Sequence, residues 1–160
     1  MKIKIFTTGG TIDKLYFDAM SEYAIGEPQI GQVLHEALVA FDYEVESLLK
    51  KDSLDLTDAD RDLIRRRVEA DPARLILVTH GTDTMVETGR RLAGIPGKVI
   101  VLTGSLSPAR FKLTDAVFNI GLAVGAVQSL PEGAYIAMNG RIYDPARTRK
   151  NRAANRFEEL

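Results

Sequence analysis

Residues 74–84 have the sequence RLILVTHGTDT, in which four successive apolar residues lead into a polar turn. A short run without polar residues is typical of a strand that is buried on both faces, as in a parallel sheet. The segment after it, His80-Gly81-Thr82-Asp83-Thr84, predicts a turn and then the beginning of a helix. Residues 98–103, KVIVLT, repeat the pattern and run into Gly104-Ser105. These runs predict two core strands that each end in a polar turn.

Elements of the same two kinds alternate along the rest of the chain. Residues 2–7, 43–49 and 134–138 predict further strands. Helices are predicted to begin at Pro28, at Thr57, near Thr84, and at Thr114 or Asp115. Strands that alternate with helices imply a parallel sheet covered on both sides. The sequence therefore predicts an α/β fold of three layers, a mostly parallel sheet with helices on both faces, of flavodoxin or Rossmann-like type.

Three segments carry more detailed expectations. Residues 13–27 have no clean periodicity and are predicted to form a loop. The last helix is expected to turn Val117, Ile120, Val124 and Val127 inward. The residues after the last core strand are rich in arginine and lysine, and a solvated or interface-forming tail is the default expectation for them.

Composition excludes several classes of function. The chain has 160 residues, a formal net charge of −1, no cysteine and two histidines, His35 and His80. The charge argues against nucleic acid or an anionic membrane as a partner, and the missing thiols exclude disulfides. No apolar run approaches the length of a membrane span, and the first residues are too short in their apolar part for a secretion signal. We expect a cytoplasmic protein.

Four polar clusters directly follow predicted strands. They are Gly9-Gly10-Thr11, Asp52-Ser53, His80-Gly81-Thr82-Asp83 and Gly104-Ser105. In open α/β sheets, ligands bind beyond the carboxyl ends of the strands, so the clusters predict one shared site. Each cluster alone has a simpler interpretation: a threonine that caps its own turn, a solvated loop, an N-cap aspartate beside a packed histidine, and a plain turn.

Two of these clusters resemble signatures of the bacterial-type L-asparaginases. They are Thr8-Gly9-Gly10-Thr11-Ile12 and His80-Gly81-Thr82-Asp83-Thr84, which occur in the family's order and each after a predicted strand. Residues 21–26, SEYAIG, look like the flexible active-site segment that carries the family's tyrosine, here Tyr23. Residues 52–55 resemble the motif of the substrate-binding serine, and residues 102–105 resemble the strand end that lines the amide pocket. Met138-Asn139 precedes Lys150 at the family's spacing to its catalytic lysine.

The resemblance implies hydrolysis of L-asparagine to L-aspartate and ammonia, without a metal or organic cofactor. It implies that Thr11 attacks the amide carbon and that Tyr23 assists the proton transfer. Thr82 orients water or acts as a second nucleophile, and Lys150 eases deprotonation of its hydroxyl. Substrate-binding roles fall to Gly10, Ser53, Asp83 and Ser105, of which Asp83 meets the α-ammonium and Ser53 the α-carboxylate.

The sequence departs from the family in two places. Longer members continue into a smaller C-terminal domain, which completes the site of a neighbouring subunit, whereas residues 1–160 are expected to be a single catalytic domain without it. Leu54 stands where many members have a substrate-contacting glutamine. A single domain without the second one would leave its site open as a monomer, so we expect a homo-oligomer with a two-fold interface, the commonest closed symmetry. A glutaminase, amide hydrolysis within an amidotransferase and a non-catalytic amino-acid-binding module stay open as alternatives.

Overall fold

A computed structural model describes the backbone of residues 1–17 and 22–160 and the side chains of residues 1–15 and 24–160. In chain order its strands and α-helices are β1 (Lys2–Gly9), β2 (Lys14–Phe17), β3 (Glu22–Ile25), α1 (Ile30–Glu36), β4 (Asp42–Lys51), α2 (Asp58–Ala70), β5 (Leu75–Thr79), α3 (Met85–Leu92), β6 (Val99–Thr103), α4 (Ala116–Ser129), β7 (Gly133–Met138), β8 (Arg141–Tyr143), β9 (Thr148–Asn151) and β10 (Arg156–Glu159). None of these helices combines the length and apolar character that a bilayer span requires.

The main sheet has the strand order β4-β1-β5-β6-β7-β8. Its first five strands are parallel, and β8 closes the edge as an antiparallel partner of β7. The five parallel strands thus have the flavodoxin-like order. The chain goes from β1 to β4 on one side of β1, and then adds β5, β6 and β7 on the other side.

Hydrophobic cores cover both faces of the sheet. Phe6 packs in one core with α2 and α3, and the neighbouring residue Ile5 packs in the other with α1 and α4. Leu77 and Val78 of β5 divide in the same way. Because successive strand residues point to opposite faces, a run without polar residues is what a sheet between two helical layers requires. The predicted three-layer α/β fold is confirmed.

Helix α2 begins as the sequence predicts. The Thr57 hydroxyl accepts a hydrogen bond from the Asp60 amide at 3.2 Å, and the Asp60 carboxylate accepts one from the Thr57 amide at 2.9 Å. Each side chain satisfies a backbone donor that the first helical turn leaves without a partner, which defines a capping box.

One prediction about helix α4 is wrong, namely that Val117 lies on its inner face. Ile120 and Val127 are buried and Val124 is half-buried, as expected, but Val117 is 53% exposed. Ala116 and Asn119 take the inward positions of the first turn instead. The helix is apolar almost all round, so its sequence does not by itself identify the buried face.

The loop predicted for residues 13–27 is wrong. The segment contains β2 and β3, which pair antiparallel with Lys14 opposite Ile25. This two-stranded sheet is separate from the main one, and Leu15 and Ile25 are only half-buried. The described side chains of these strands, at residues 14, 15, 24 and 25, are half-buried or exposed. Positions of this kind need not alternate apolar and polar residues, so they lack the period that reveals most strands.

The solvated or interface-forming tail expected after β7 needs one correction, because part of the segment packs on the core. Strands β9 and β10 form an antiparallel hairpin in which Lys150 lies opposite Phe157. Phe157 is buried, and its ring centre lies 5.8 Å from that of Tyr143 in β8. The arginines of the hairpin stay exposed while they form ion pairs, for example Arg149, whose side chain is 63% exposed and lies 3.0 Å from Glu158.

Candidate active site

The four polar clusters lie at one edge of the sheet. Strands β1, β4, β5 and β6 are parallel, so the loops after them leave the same edge. The crevice between the loops after β1 and β5 is the switch point, because the chain leaves β1 toward β4 and later returns to β5. Sheets of this kind bind their ligands at that position.

Two glycines allow these loops to touch. Gly10 has φ 88°, and a Cβ atom there would lie 2.5 Å from the backbone nitrogen of Gly81. A Cβ atom at Gly81 would lie 2.7 Å from Ser53 Oγ. Because glycine has no side chain at either position, the loops after β1, β4 and β5 pack closely. Gly10 and Ser53, both predicted substrate-binding residues, therefore border the same crevice.

Thr11 begins a 3-10 turn, Thr11–Asp13, directly after β1. The Asp13 amide donates to the Gly10 carbonyl at 3.2 Å, and the Ala109 amide donates to the Ile12 carbonyl at 3.0 Å. Thr11 is half-buried. Bonds to both sides of the turn thus hold the predicted nucleophile at a defined place beside the crevice.

Asp13 anchors this turn and was not singled out in the sequence. Its buried carboxylate accepts a hydrogen bond from the Gln29 amide at 2.9 Å, just before α1. Burial raises the pKa of the Asp13 carboxyl to about 6, although the Gln29 bond opposes that shift. The sequence signal is an acidic residue two positions after the predicted nucleophile, and only the fold reveals its burial.

Thr82 and Lys150 are in contact although 68 positions separate them in the sequence. Lys150 Nζ donates to Thr82 Oγ1 at 3.3 Å, because the β9–β10 hairpin folds back across the carboxyl edge of the sheet. Burial lowers the pKa of the Lys150 ammonium, whereas the nearby carboxylates of Asp83 and Asp115 raise it and Arg152 lowers it further. A lysine in this environment loses its proton more easily than one in water, which is what a proton acceptor for a hydroxyl needs.

Asp83 lies at the rim of the site and faces Arg152. The Arg152 Nε atom is 4.0 Å from Asp83 Oδ1, and its Nη2 atom donates to the Asp83 carbonyl at 3.4 Å. Beside them opens a polar groove of about 470 Å³, lined on one wall by Lys150 and on another by Glu87 of α3. Asp83 thus has a half-exposed carboxylate, with a cation already at one side.

The two predicted serines have different hydrogen-bonding surroundings. Ser53 is buried at the start of a 3-10 turn, where Thr84 Oγ1 donates to its carbonyl at 2.7 Å and its own Oγ faces Gly81. Ser105 is buried too, but its hydroxyl donates to the carbonyl of Ser107. Leu54, in the usual position of a glutamine, is 58% exposed.

Asp115 and Asn119 organise the loops after β6 and β7, and sequence reasoning missed both roles. Asp115 was expected only to begin a helix, yet its carboxylate accepts from the amides of Leu106 at 2.9 Å and Ser107 at 3.0 Å. Asn119 donates to the Gly104 carbonyl at 2.9 Å and accepts from the Asn139 amide at 3.0 Å. An aspartate and an asparagine one helical turn apart, after a glycine-serine turn, were the available signal.

His80 is a packed residue and not a base, which confirms its expected role. It is fully buried, and burial lowers the pKa of its imidazole to about 4. The Gly81 carbonyl can only accept, so Nδ1 donates to it at 2.6 Å and Nε2 accepts from the Thr88 hydroxyl at 2.7 Å. Both ring nitrogens are therefore occupied, and the ring is neutral at physiological pH.

Tyr23, the predicted catalytic tyrosine, lies in β3. Its backbone pairs with Tyr16 between β3 and β2. Its side chain and residues 18–21, which include part of the predicted flexible segment, lie outside the described residues. Among side chains that are described, none form a cluster of three His, Asp or Glu residues that could hold a metal ion.

Comparisons with known proteins agree on one family. A sequence model described as "Asparaginase, N-terminal" matches residues 2–158. The glutaminase-asparaginase of Acinetobacter glutaminasificans is 30% identical over 122 residues, which are 72% of this chain and 36% of that protein. The thermostable L-asparaginase from Thermococcus kodakarensis superposes with a TM-score of 0.85 and 30% identity, over 100% of this chain and 51% of that one. L-asparaginase I from Vibrio cholerae O1 biovar eltor str. N16961 superposes with a TM-score of 0.81 and 26% identity, over 99% of this chain and 51% of that one.

The fold and site define a flavodoxin-like α/β domain in which a threonine hydroxyl and a lysine ammonium meet at the carboxyl edge of the sheet. The family match includes both ends of that site, the glycine turn after β1 and the lysine of β9. This chain belongs to the asparaginase family, in the region of its N-terminal domain. It spans about half the length of the two solved structures that it matches.

Proposed function

We propose that this chain hydrolyses the side-chain amide of L-asparagine to L-aspartate and ammonia, with Thr11 as the nucleophile. The contact of Lys150 Nζ with Thr82 Oγ1 at 3.3 Å carries the proposal. Binding an amino acid does not require a partly desolvated lysine against a hydroxyl, whereas activating that hydroxyl does. The relatives named L-asparaginase support the choice of substrate.

In the proposed reaction the Thr11 hydroxyl oxygen attacks the amide carbon of the substrate. Its proton passes through Tyr23 to the amide nitrogen, the carbon–nitrogen bond breaks, and ammonia leaves an aspartyl ester on Thr11. The backbone amides of Thr11 and Thr82 stabilise the negative oxygen, a contribution often worth several kcal/mol. In the second half, Lys150 takes the Thr82 hydroxyl proton while the Thr82 oxygen takes one proton from the water that attacks the ester carbon. The bond between that carbon and the Thr11 oxygen breaks, Thr11 takes the second proton of the water, aspartate leaves, and Lys150 releases its proton to solvent.

The remaining residues hold the amino-acid end of the substrate in this proposal. The Asp83 carboxylate receives the α-ammonium, and buried Ser53 receives the α-carboxylate. Ser105 lines the amide pocket through its backbone, because its hydroxyl is already bonded to Ser107. Gly10, which leaves no room for a side chain, lets the substrate approach the β1 loop.

We expect the 160-residue chain to release ammonia from asparagine, and measuring ammonia with asparagine and with glutamine in parallel tests the proposal. A pocket that must distinguish one methylene group does so by about 1–3 kcal/mol, so glutamine turnover should be slower but measurable. Faster turnover of glutamine would favour the alternative suggested by the name of the Acinetobacter relative. Binding of aspartate without ammonia release from either amide would indicate the non-catalytic module.

We also propose that the protein is a homo-oligomer that assembles through the outer face of α4. Val117 and Phe118 are 53% and 63% exposed, and Leu113 just before the helix is 87% exposed. Residues 116–129 contain no charged residue. A two-fold axis places the same patch against itself, and an uncharged helix brings no like charges together there. The cytoplasmic location stays a prediction from the sequence.

Phe118→Glu is expected to convert the oligomer to monomers. Two glutamates brought into an apolar two-fold interface should raise the dissociation constant by about 100-fold or more. Analytical ultracentrifugation over a concentration series measures this constant. Leu38→Glu is the matched control, because Leu38 is 86% exposed and lies just beyond α1. A wild-type monomer at all concentrations, or equal effects of both substitutions, would contradict the interface.

A further inference from the structure

The turn between β9 and β10 contains a side chain that touches the Lys150 ammonium. Asn155 Oδ1 accepts a hydrogen bond from Lys150 Nζ at 3.0 Å, a shorter contact than the 3.3 Å between Nζ and Thr82 Oγ1. The same ammonium lies 5.0 Å from the ring centre of Phe157. Of these three contacts of the ammonium, the one with Thr82 belongs to the proposed reaction, and the other two are made within its own hairpin.

The backbone of this turn is built around Asn155. The residue has φ 48°, the left-handed conformation that asparagine adopts more readily than most side chains. Its amide donates to the Arg152 carbonyl at 3.2 Å, and the Ala154 amide donates to Asn151 Oδ1 at 3.0 Å. These bonds close the turn, so the amide side chain of Asn155 returns over the strand toward Lys150.

Phe157 supports the lysine from the opposite strand. It pairs directly with Lys150 in the hairpin register and is buried in the core next to α3. The stem of Lys150 is therefore fixed by a side chain that the core immobilises, and the position of its ammonium depends on the polar acceptors at its tip.

We infer that Asn155 is a positioning residue that holds Lys150 Nζ against the Thr82 hydroxyl while adding no charge to the site. The inference rests on the proposed function of Lys150 and Thr82, and it extends that function to a turn residue that acts through Lys150.

The neutrality of Asn155 matters because of the charges around Lys150. Asp83 faces it from the loop after β5, Asp115 from the segment before α4, and Arg152 from its own hairpin turn. Burial lowers the pKa of the ammonium, and the two carboxylates already act in the opposite direction. A third carboxylate in direct contact would hold the proton on Lys150, whereas an amide oxygen orients the group without doing so.

Asn155→Asp tests this directly, because it preserves the size of the side chain and the tolerance for a left-handed backbone. We expect it to raise the pKa of Lys150 by about one unit or more. The pKa is measured without substrate, by NMR titration of the carbon next to Nζ in protein labelled at lysine, with Lys150→Met to assign the signal. The rising limb of the pH–kcat profile should move to higher pH by the same amount.

Two further variants complete the test. Asn155→Gly keeps the positive φ and removes the amide, so we expect kcat to fall by about 10-fold or more at unchanged KM with the fold intact. Asn139→Asp is the matched control: Asn139 has φ 53° and lies in a turn that borders a cavity with Asn155, so it adds the same charge in the same region. It should change the Lys150 pKa far less.

The outcomes separate the positioning role from the proposed activity. A raised Lys150 pKa in Asn155→Asp with no ammonia release by any variant would support the contact and count against the proposed function. Ammonia release with an unchanged Lys150 pKa in Asn155→Asp would overturn the positioning role. Equal shifts in Asn155→Asp and Asn139→Asp would also overturn it, since they would indicate a general effect of charge.

Discussion

Thr11→Val and Thr82→Val are each expected to reduce kcat for asparagine by about 10³-fold or more. Valine has the shape of threonine without its hydroxyl, and both residues are half-buried in loops that backbone contacts already hold. The fold should therefore survive both changes. In Thr82→Val the Lys150 ammonium loses one acceptor and retains the Asn155 oxygen at 3.0 Å. Steady-state kinetics and thermal unfolding measure the two effects.

Serine substitutions at positions 11 and 82 are the controls for the two valine variants. Thr11→Ser and Thr82→Ser restore a hydroxyl and should recover a substantial part of kcat. If Thr11 attacks first, Thr82→Val should accumulate an ester that mass spectrometry of the denatured protein detects on Thr11, and Thr11→Val should accumulate none. An ester on Thr82 would reverse the proposed order. Near-native kcat in either valine variant would remove its residue from the mechanism.

Lys150→Met is expected to lower kcat by about 10²–10⁴-fold while leaving the melting temperature nearly unchanged. Methionine preserves the contact with the Phe157 ring and removes the amine that takes the proton. The wild-type rate should rise with pH as Lys150 loses its proton, at a pH below that of an ordinary lysine because burial lowers its pKa. That limb of the pH profile should be missing in the variant.

Two arginines of the same hairpin are controls for Lys150. Arg149→Met removes an exposed charge that pairs with Glu158, and we expect little change in kcat. Arg152→Met removes the cation beside Asp83, and its effect should be smaller than that of Lys150→Met and should fall mainly on KM. Comparable losses of kcat at all three positions would indicate that the hairpin acts through its overall charge.

Much of the fold was predictable because its signals are local. The runs that became β5 and β6 have no polar residue in their interiors, which only a sheet covered on both faces accommodates. The capping box of Thr57 and Asp60 acts within one helical turn. The clusters at the site were predictable for a related reason: each directly follows a strand, and parallel strands bring their carboxyl ends to one edge.

Other features depended on contacts between residues far apart in the sequence. No property of residues 116–129 alone indicates that Val117 faces outward, because both sides of α4 are apolar and the packing of Asn119 against the loop after β6 orients the helix. Strands β2 and β3 pair with each other in a sheet apart from the main one, and those of their side chains that the structure describes are not deeply buried, so no strand period marks them.

The position of Lys150 shows most clearly what the sequence and the tertiary structure each determine. By itself the sequence determined that a basic segment follows the last parallel strand, and the family resemblance selected one lysine within it. The tertiary structure decided that the segment forms a hairpin whose Phe157 enters the core next to α3. Burying that ring fixes the facing residue over the carboxyl edge of the sheet, where Lys150 reaches Thr82 across a sequence separation of 68 residues. Burial of an aromatic side chain stabilises by a few kcal/mol, enough to hold a hairpin of charged residues in one place, and local sequence patterns do not encode where such a ring packs.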